Sequence, residues 1–136
     1  MRFIPLIIAR PEVQMAIDEA VMIARIEEKV EDTVRLYIFK PSSITIGRFQ
    51  SVEYDVDLEK CKELEIPVVR RITGGGSVFH DQYGEITYSA VIGEDSYKGL
   101  KNVEESYRTI ASPLVEALRE VGLNGGFSGL NDIIAN

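Results

Sequence analysis

The apolar positions change rhythm several times along the chain, and each change marks an element. Met1 to Ala9 is nearly continuous apolar sequence, too short to span a bilayer and read as an edge strand. From Pro11 to about Lys29, Ile17, Val21 and Ala24 with Met15, Met22 and Ile26 recur at helical spacing. They predict a largely buried helix with Pro11 in its first turn. Asp18 and Glu19 fall on its polar side and read as solvated. The period then becomes two: Val34, Leu36 and Ile38 alternate with Arg35, Tyr37 and Phe39, which predicts a strand over Thr33 to Phe39. Ile44 to Ile46 is a shorter strand that runs into the turn Gly47-Arg48-Phe49-Gln50.

Asp57 to Glu65 reads as a short helix with Leu58, Cys61 and Leu64 at three-residue spacing. That spacing makes Cys61 a small core residue rather than a nucleophile. Ile66 to Arg71 and Glu85 to Ile92 are strands, and Gly93 to Lys101 is a polar loop. Asn102 with Glu105 fits a capping box. It opens a helix that keeps apolar spacing to Val121, in which Pro113 is expected to kink the helix or break its ladder. Past the glycines at 122, 125, 126 and 129, Ile133-Ile134 begins a further strand.

One stretch follows no such period. Arg70-Arg71-Ile72-Thr73-Gly74-Gly75-Gly76-Ser77-Val78-Phe79-His80-Asp81 places two arginines before three glycines and a histidine after them. A glycine triplet costs backbone entropy. It suits a loop whose N–H groups approach an anionic ligand, and the arginine fork suits phosphate or carboxylate. The stretch is neither a Walker loop, which needs a lysine after the glycines, nor a dinucleotide fingerprint. A tight turn or bulge between strands is the plain alternative, and His80 reads first as a hydrogen-bonded brace of the loop.

Composition narrows the choices. At 136 residues the chain has the size of one domain. A formal charge of −7 argues against nucleic-acid or anionic-membrane surfaces, so an anion site must be local, at Arg48, Arg70 and Arg71. A single cysteine and a single histidine exclude an intramolecular disulfide and multi-histidine zinc sites within these residues. A reducing cytoplasm is the simplest compartment.

The glycine stretch resembles the RRxTGGGxVxHD signature of lipoate-protein ligases, within the wider fold shared with biotin-protein ligases and octanoyltransferases. Met15-Ala16-Ile17-Asp18-Glu19-Ala20 resembles the family's MAxDEA segment, Ile46-Gly47-Arg48-Phe49-Gln50 its IGxxQ turn and Asn131-Asp132-Ile133 its NDI segment. The resemblance implies an α+β fold, a mixed or antiparallel sheet packed with helices. Residues 1–136 would be the N-terminal portion of the catalytic domain, and the fold would be incomplete.

The activity implied is activation of lipoate by ATP to lipoyl-AMP, followed by transfer to a lysine of lipoyl domains of 2-oxoacid dehydrogenases or of the glycine-cleavage carrier. Arg71 and the backbone of Gly76, Ser77, Val78 and Phe79 would hold the nucleotide. Gly74, Gly75 and His80 would shape the acyl wall with Arg70 nearby, and Asn131 and Asp132 would approach the adenylate, Asp132 as a candidate Mg²⁺ ligand. The family's catalytic lysine is expected after Asn136, so the chain alone is expected to be inactive or completed by a C-terminal chain. An octanoyltransferase of the same fold, which uses a thioester route without ATP, and a non-catalytic lipoate-binding fragment are the alternatives.

Overall fold

The computed structural model describes residues 1–96, 102–129 and 132–136. The chain divides into two compact units, Met1–Ile92 and Gly93–Asn136. The architecture is α+β, and among the described residues no helix is long and apolar enough to cross a membrane.

The first unit holds two three-stranded sheets. In one, β1 (Arg2–Ala9), β2 (Thr33–Phe39) and β6 (Thr87–Val91) lie in that order. β1 runs parallel to β2, with α1 (Pro11–Ile26) as the crossover, and β6 is antiparallel to β2. β1 is an edge strand, as its sequence predicts. Its register shifts between Ile4 and Ile7, the interval that contains Pro5. Proline has no N–H to give to a ladder, so an edge is where it is tolerated.

The second sheet has the order β4 (Val68–Arg70), β3 (Ser43–Ile46), β5 (Val78–His80), with β4 parallel and β5 antiparallel to β3. α2 (Val52–Asp55) and α3 (Leu58–Glu63) make the crossover. α3 is capped by Asp57, whose side chain accepts from the Lys60 amide, and Cys61 is its buried residue. α2 follows a serine and carries no apolar period, and the sequence pattern misses it.

β2 has the predicted bounds, and its fully buried face is Thr33, Arg35, Tyr37 and Phe39, while Val34, Leu36 and Ile38 are half-buried. α1 is less buried than its apolar spacing suggests. It ends at Ile26, which is 71% exposed, and only Pro11, Gln14 and Val21 are buried.

The second unit packs α4 (Val103–Glu120) against the hairpin of β7 (Gly125–Ser128) and β8 (Asp132–Ala135). Asn102 caps α4 by accepting from the Glu104 amide. α4 runs through Pro113 as one element, contrary to the expected break. Proline leaves the Thr109 carbonyl without its helical donor, and the Ser112 hydroxyl donates to that oxygen at 3.1 Å. At Gly125 an added Cβ would lie 3.0 Å from Leu118 Cβ, so the hairpin approaches the helix at a distance only glycine allows. Arg108 lies 5.4 Å over the Phe127 ring.

Candidate functional site

A cleft of about 580 Å³ opens in the first unit between α1, the two sheets and the glycine loop. Met15, Asp18 and Met22 line it from α1, one face of the helix at spacings of three and four. Tyr37 and Phe39 come from β2, Thr45 from β3, and Arg71, Ile72, Thr73, Val78 and His80 from the loop and β5; residues 87–92 close the far wall. Gln14 Nε2 donates to the Ile7 and Ile38 carbonyls, beside Phe39, whose ring packs 4.2 Å from the His80 ring. Arg25, near the other end of α1, pairs with Asp32 at 2.8 Å, just before β2 begins. Met15 therefore lies toward the His80 end of the cleft and Met22 toward the far end.

The polar groups at the His80 end form one chain. Arg71 Nη1 donates to the Thr45 carbonyl at 3.1 Å and to Thr45 Oγ1 at 2.7 Å, while Nη2 donates to the carbonyls of Gly74 and Gly76 at 3.0 and 2.9 Å. Thr45 Oγ1 is 2.9 Å from His80 Nε2, and His80 Nδ1 is 2.6 Å from Glu85 Oε1. A ring nitrogen against a carboxylate carries the proton. With the hydrogen assigned to Nδ1 on that ground, Nε2 accepts from the Thr45 hydroxyl. Desolvation holds the Arg71 guanidinium below its ordinary range, though it stays a cation.

Backbone contact fixes the loop from below. The Arg48 amide donates to the Thr73 carbonyl and the Arg71 amide to the Ile46 carbonyl. A Cβ on Gly47 would lie 2.0 Å from the Gly75 carbonyl oxygen, so the Gly47 turn and the glycine loop touch main chain to main chain. Arg70 fastens the same turn. Its Nη1 lies 2.9, 3.2 and 2.7 Å from the carbonyl oxygens of Gly47, Arg48 and Gln50. The amides of Gly75, Gly76 and Ser77 have no hydrogen-bond partner among the described residues. Those donors are free for a ligand.

A buried charge lies behind the part of the cleft wall made by Asp18 and Tyr37. Arg35, 1% exposed, donates from Nε to Asp18 Oδ1 at 2.7 Å, from Nη1 to Gln14 Oε1 at 2.9 Å and from Nη2 to the Gln14 carbonyl at 2.8 Å. Its guanidinium carbon also sits 3.9 Å over the Tyr37 ring, and Tyr37 donates its hydroxyl to Asp18 Oδ2 at 3.1 Å. Burial first, and the Asp18 charge second, push the Tyr37 phenol well above its ordinary range. Asp18 is thus no solvated helix residue; Glu19 is exposed, as expected.

The sequence-predicted residues divide. Arg71, Val78 and His80 line the cleft, and Gly74 and Gly76 meet it through Arg71. Arg70 braces the turn. Ser77, Val78 and Phe79 also line a second cavity of about 350 Å³ on the side of Cys61, so Phe79 does not share the wall with His80. Asp132 is exposed on β8, paired with Ser128, and Asn131 lies outside the described residues. Among the described residues no three His, Cys, Asp or Glu side chains converge as metal ligands. The Arg71 terminal nitrogens that a triphosphate would need are also spent on protein oxygens. Among the described residues the donor set for Mg²⁺ is therefore incomplete.

Thr45, Glu85, Arg35 and Asp18 are the functional candidates that sequence reasoning does not reach. Thr45, Arg35 and Asp18 are marked by partners distant along the chain, and Glu85 by a bond to His80 five residues before it.

The family model for the lipoyl protein ligase A/B catalytic domain matches residues 10–136. The chain is 41% identical over 115 residues to the octanoyltransferase LipM of Moorella thermoacetica, covering 85% of this chain and 41% of that protein. Among solved structures it is similar to a bi-partite archaeal lipoate protein ligase from Thermoplasma acidophilum, described with its E2 lipoyl domain, at 30% identity and a TM-score of 0.75 over 98% of this chain and 51% of that one. It is also similar to a lipoate-protein ligase A bound with ATP, at 30% identity and a TM-score of 0.73 over 97% of this chain and 52% of that one. The chain therefore spans about half the length of these relatives or less.

Proposed function

Since the chain belongs to the lipoyl protein ligase A/B catalytic-domain family, we propose that its cleft holds a medium-length acyl chain and forms part of an octanoyltransferase site. In this reading residues 1–136 are the N-terminal portion of the catalytic domain. The net reaction moves an octanoyl group from a carrier thioester to a lysine of a lipoyl domain. One C–S bond breaks, one C–N bond forms, and a lysine proton ends on the released carrier thiol.

The shape of the cleft carries the proposal. Along α1 it runs from Met15 past Asp18 to Met22, seven helical steps or about 10 Å at the helical rise, the scale of an extended octanoyl chain. Thr45, Arg71 and His80 gather at one end beside the glycine loop that Arg71 holds, and the unpaired amides of Gly75, Gly76 and Ser77 are the donors this loop would offer to an acyl carbonyl. Prearranged backbone donors are effective at stabilising charge that develops on a carbonyl oxygen. No cysteine or lysine lines the cleft among the described residues, so none of those lining residues is the nucleophile that transfer requires. The 41% identity to an octanoyltransferase supports the acyl-transfer reading over adenylation.

An ATP-dependent lipoate ligase is the second reading, favoured by the similarity to the ATP-bound lipoate-protein ligase A. Calorimetric titration with octanoate, lipoate and Mg-ATP separates the two. The transferase reading expects saturable binding of the C8 acids and none of ATP. The protein together with any residues that follow in its coding sequence is then expected to acylate a lipoyl domain from an octanoyl thioester without nucleotide. Pyrophosphate release that depends on free acid and ATP would overturn it.

A further inference from the structure

We propose that Glu85 is a positioning residue whose carboxylate, acting through His80 and Thr45, holds the Arg71 guanidinium and with it the glycine loop. The proposal rests on the acyl-cleft reading only for its effect on ligand affinity.

Glu85 is itself fixed from three sides. Its Oε1 accepts from His80 Nδ1 at 2.6 Å and from the Thr87 hydroxyl at 2.7 Å, and its Oε2 accepts from the Asp81 amide at 3.3 Å. The chain of donors then runs in one direction. His80 gives its Nδ1 hydrogen to Glu85, which leaves Nε2 as an acceptor. The Thr45 hydroxyl gives its one hydrogen to Nε2, which leaves its lone pairs for Arg71 Nη1. Arg71 Nη2 is thereby aimed at Gly74 and Gly76.

Thr45 is fully buried and His80 nearly so, so water does not replace a lost partner cheaply. Without the carboxylate the imidazole has no reason to keep its hydrogen on Nδ1. The other tautomer would donate from Nε2 into Thr45 Oγ1, turn the hydroxyl hydrogen away and crowd Arg71 Nη1. Glu85 thus reaches the loop across β5 and β3 without touching it, and His80, engaged at both nitrogens, serves as the link.

Because the chain contains a single histidine, long-range ¹H–¹⁵N spectra report its tautomer without assignment ambiguity. Resolved Nη signals report whether the Arg71 guanidinium rotates. Wild type is expected to show the Nδ1–H form and a locked Arg71. Glu85→Gln keeps an acceptor and is expected to preserve both, with octanoate affinity within about twofold. Glu85→Leu is expected to shift His80 to Nε2–H, free the Arg71 guanidinium and weaken octanoate binding about tenfold, the cost of roughly one buried hydrogen bond. Thr45→Val, a similar shape without the hydroxyl, should free Arg71 while His80 keeps its Nδ1 hydrogen. An unchanged tautomer in Glu85→Leu, or a shifted tautomer with Arg71 still locked, would overturn the proposal. Failure of the wild type to bind octanoate would instead overturn the acyl-cleft reading, since the spectroscopic readouts need no ligand.

Discussion

Arg35 carries a full charge at 1% exposure, and its cost is met by Asp18, Gln14 and the Tyr37 ring. Removing one partner of a buried pair leaves the other charge uncompensated, which is more damaging than replacing both. Asp18→Asn is therefore expected to lower stability by about 3 kcal/mol, measured by urea denaturation. The double variant Asp18→Leu, Arg35→Met should recover most of that loss. Tyr37 adds a pH dependence. Its phenol titrates above the ordinary tyrosine range in the folded protein, so above about pH 10 the unfolded chain releases a proton that the folded one retains. Stability should fall as pH rises through that region, and Tyr37→Phe should flatten that part of the profile in denaturation curves at neutral and alkaline pH. At this scale the sequence displayed Arg71 and His80 plainly, because the glycine triplet between them gives up helix and strand stability and so marks a loop that needs its backbone freedom. Asp18 gave no such sign, since a carboxylate on a helix is usually solvated and its partner lies 17 positions away.

The glycine loop and the Gly47 turn act as one element, because their backbones are in contact. Gly47→Ala would drive a methyl into the Gly75 carbonyl. It is expected to displace the loop and weaken octanoate binding by at least about tenfold, roughly one lost polar contact or more. Gly74→Ala meets nothing within 4 Å and should bind almost as wild type. Comparable losses in the two variants, read by calorimetry, would argue against close docking as the reason for Gly47. Among the other elements, periodicity found β2 to the residue but left open which face is buried. Buried aliphatics are the usual expectation for a strand, and here the buried side is filled by a bonded arginine, a threonine and two aromatic rings. α4 passes through Pro113 because a neighbouring serine supplies the missing donor, a local compensation that a rule about proline does not contain.

For the molecule as a whole, the proposed acyl cleft has no cysteine or lysine among the described residues that line it. Cys61 is the one cysteine, but it is buried beside the second cavity and does not line the cleft. Incubation with an octanoyl thioester is expected to leave Cys61 unmodified by peptide mass spectrometry, and Cys61→Ala should leave octanoate affinity unchanged. An octanoyl adduct on Cys61 would assign the nucleophile to this chain and reverse that conclusion.

By itself the sequence determined the α+β class, the order of the main strands and helices, the family signature and the position of the glycine loop. These depend on periodicity and on residues with strong local conformational demands. Only the tertiary structure decided which charges are buried, which face of β2 is covered, that Arg70 braces a turn, and that Glu85 stands behind His80. Most of those facts arise from partners far apart along the chain, where one residue's cost is offset by another, and the Glu85–His80 bond from a turn that folds five residues back on themselves.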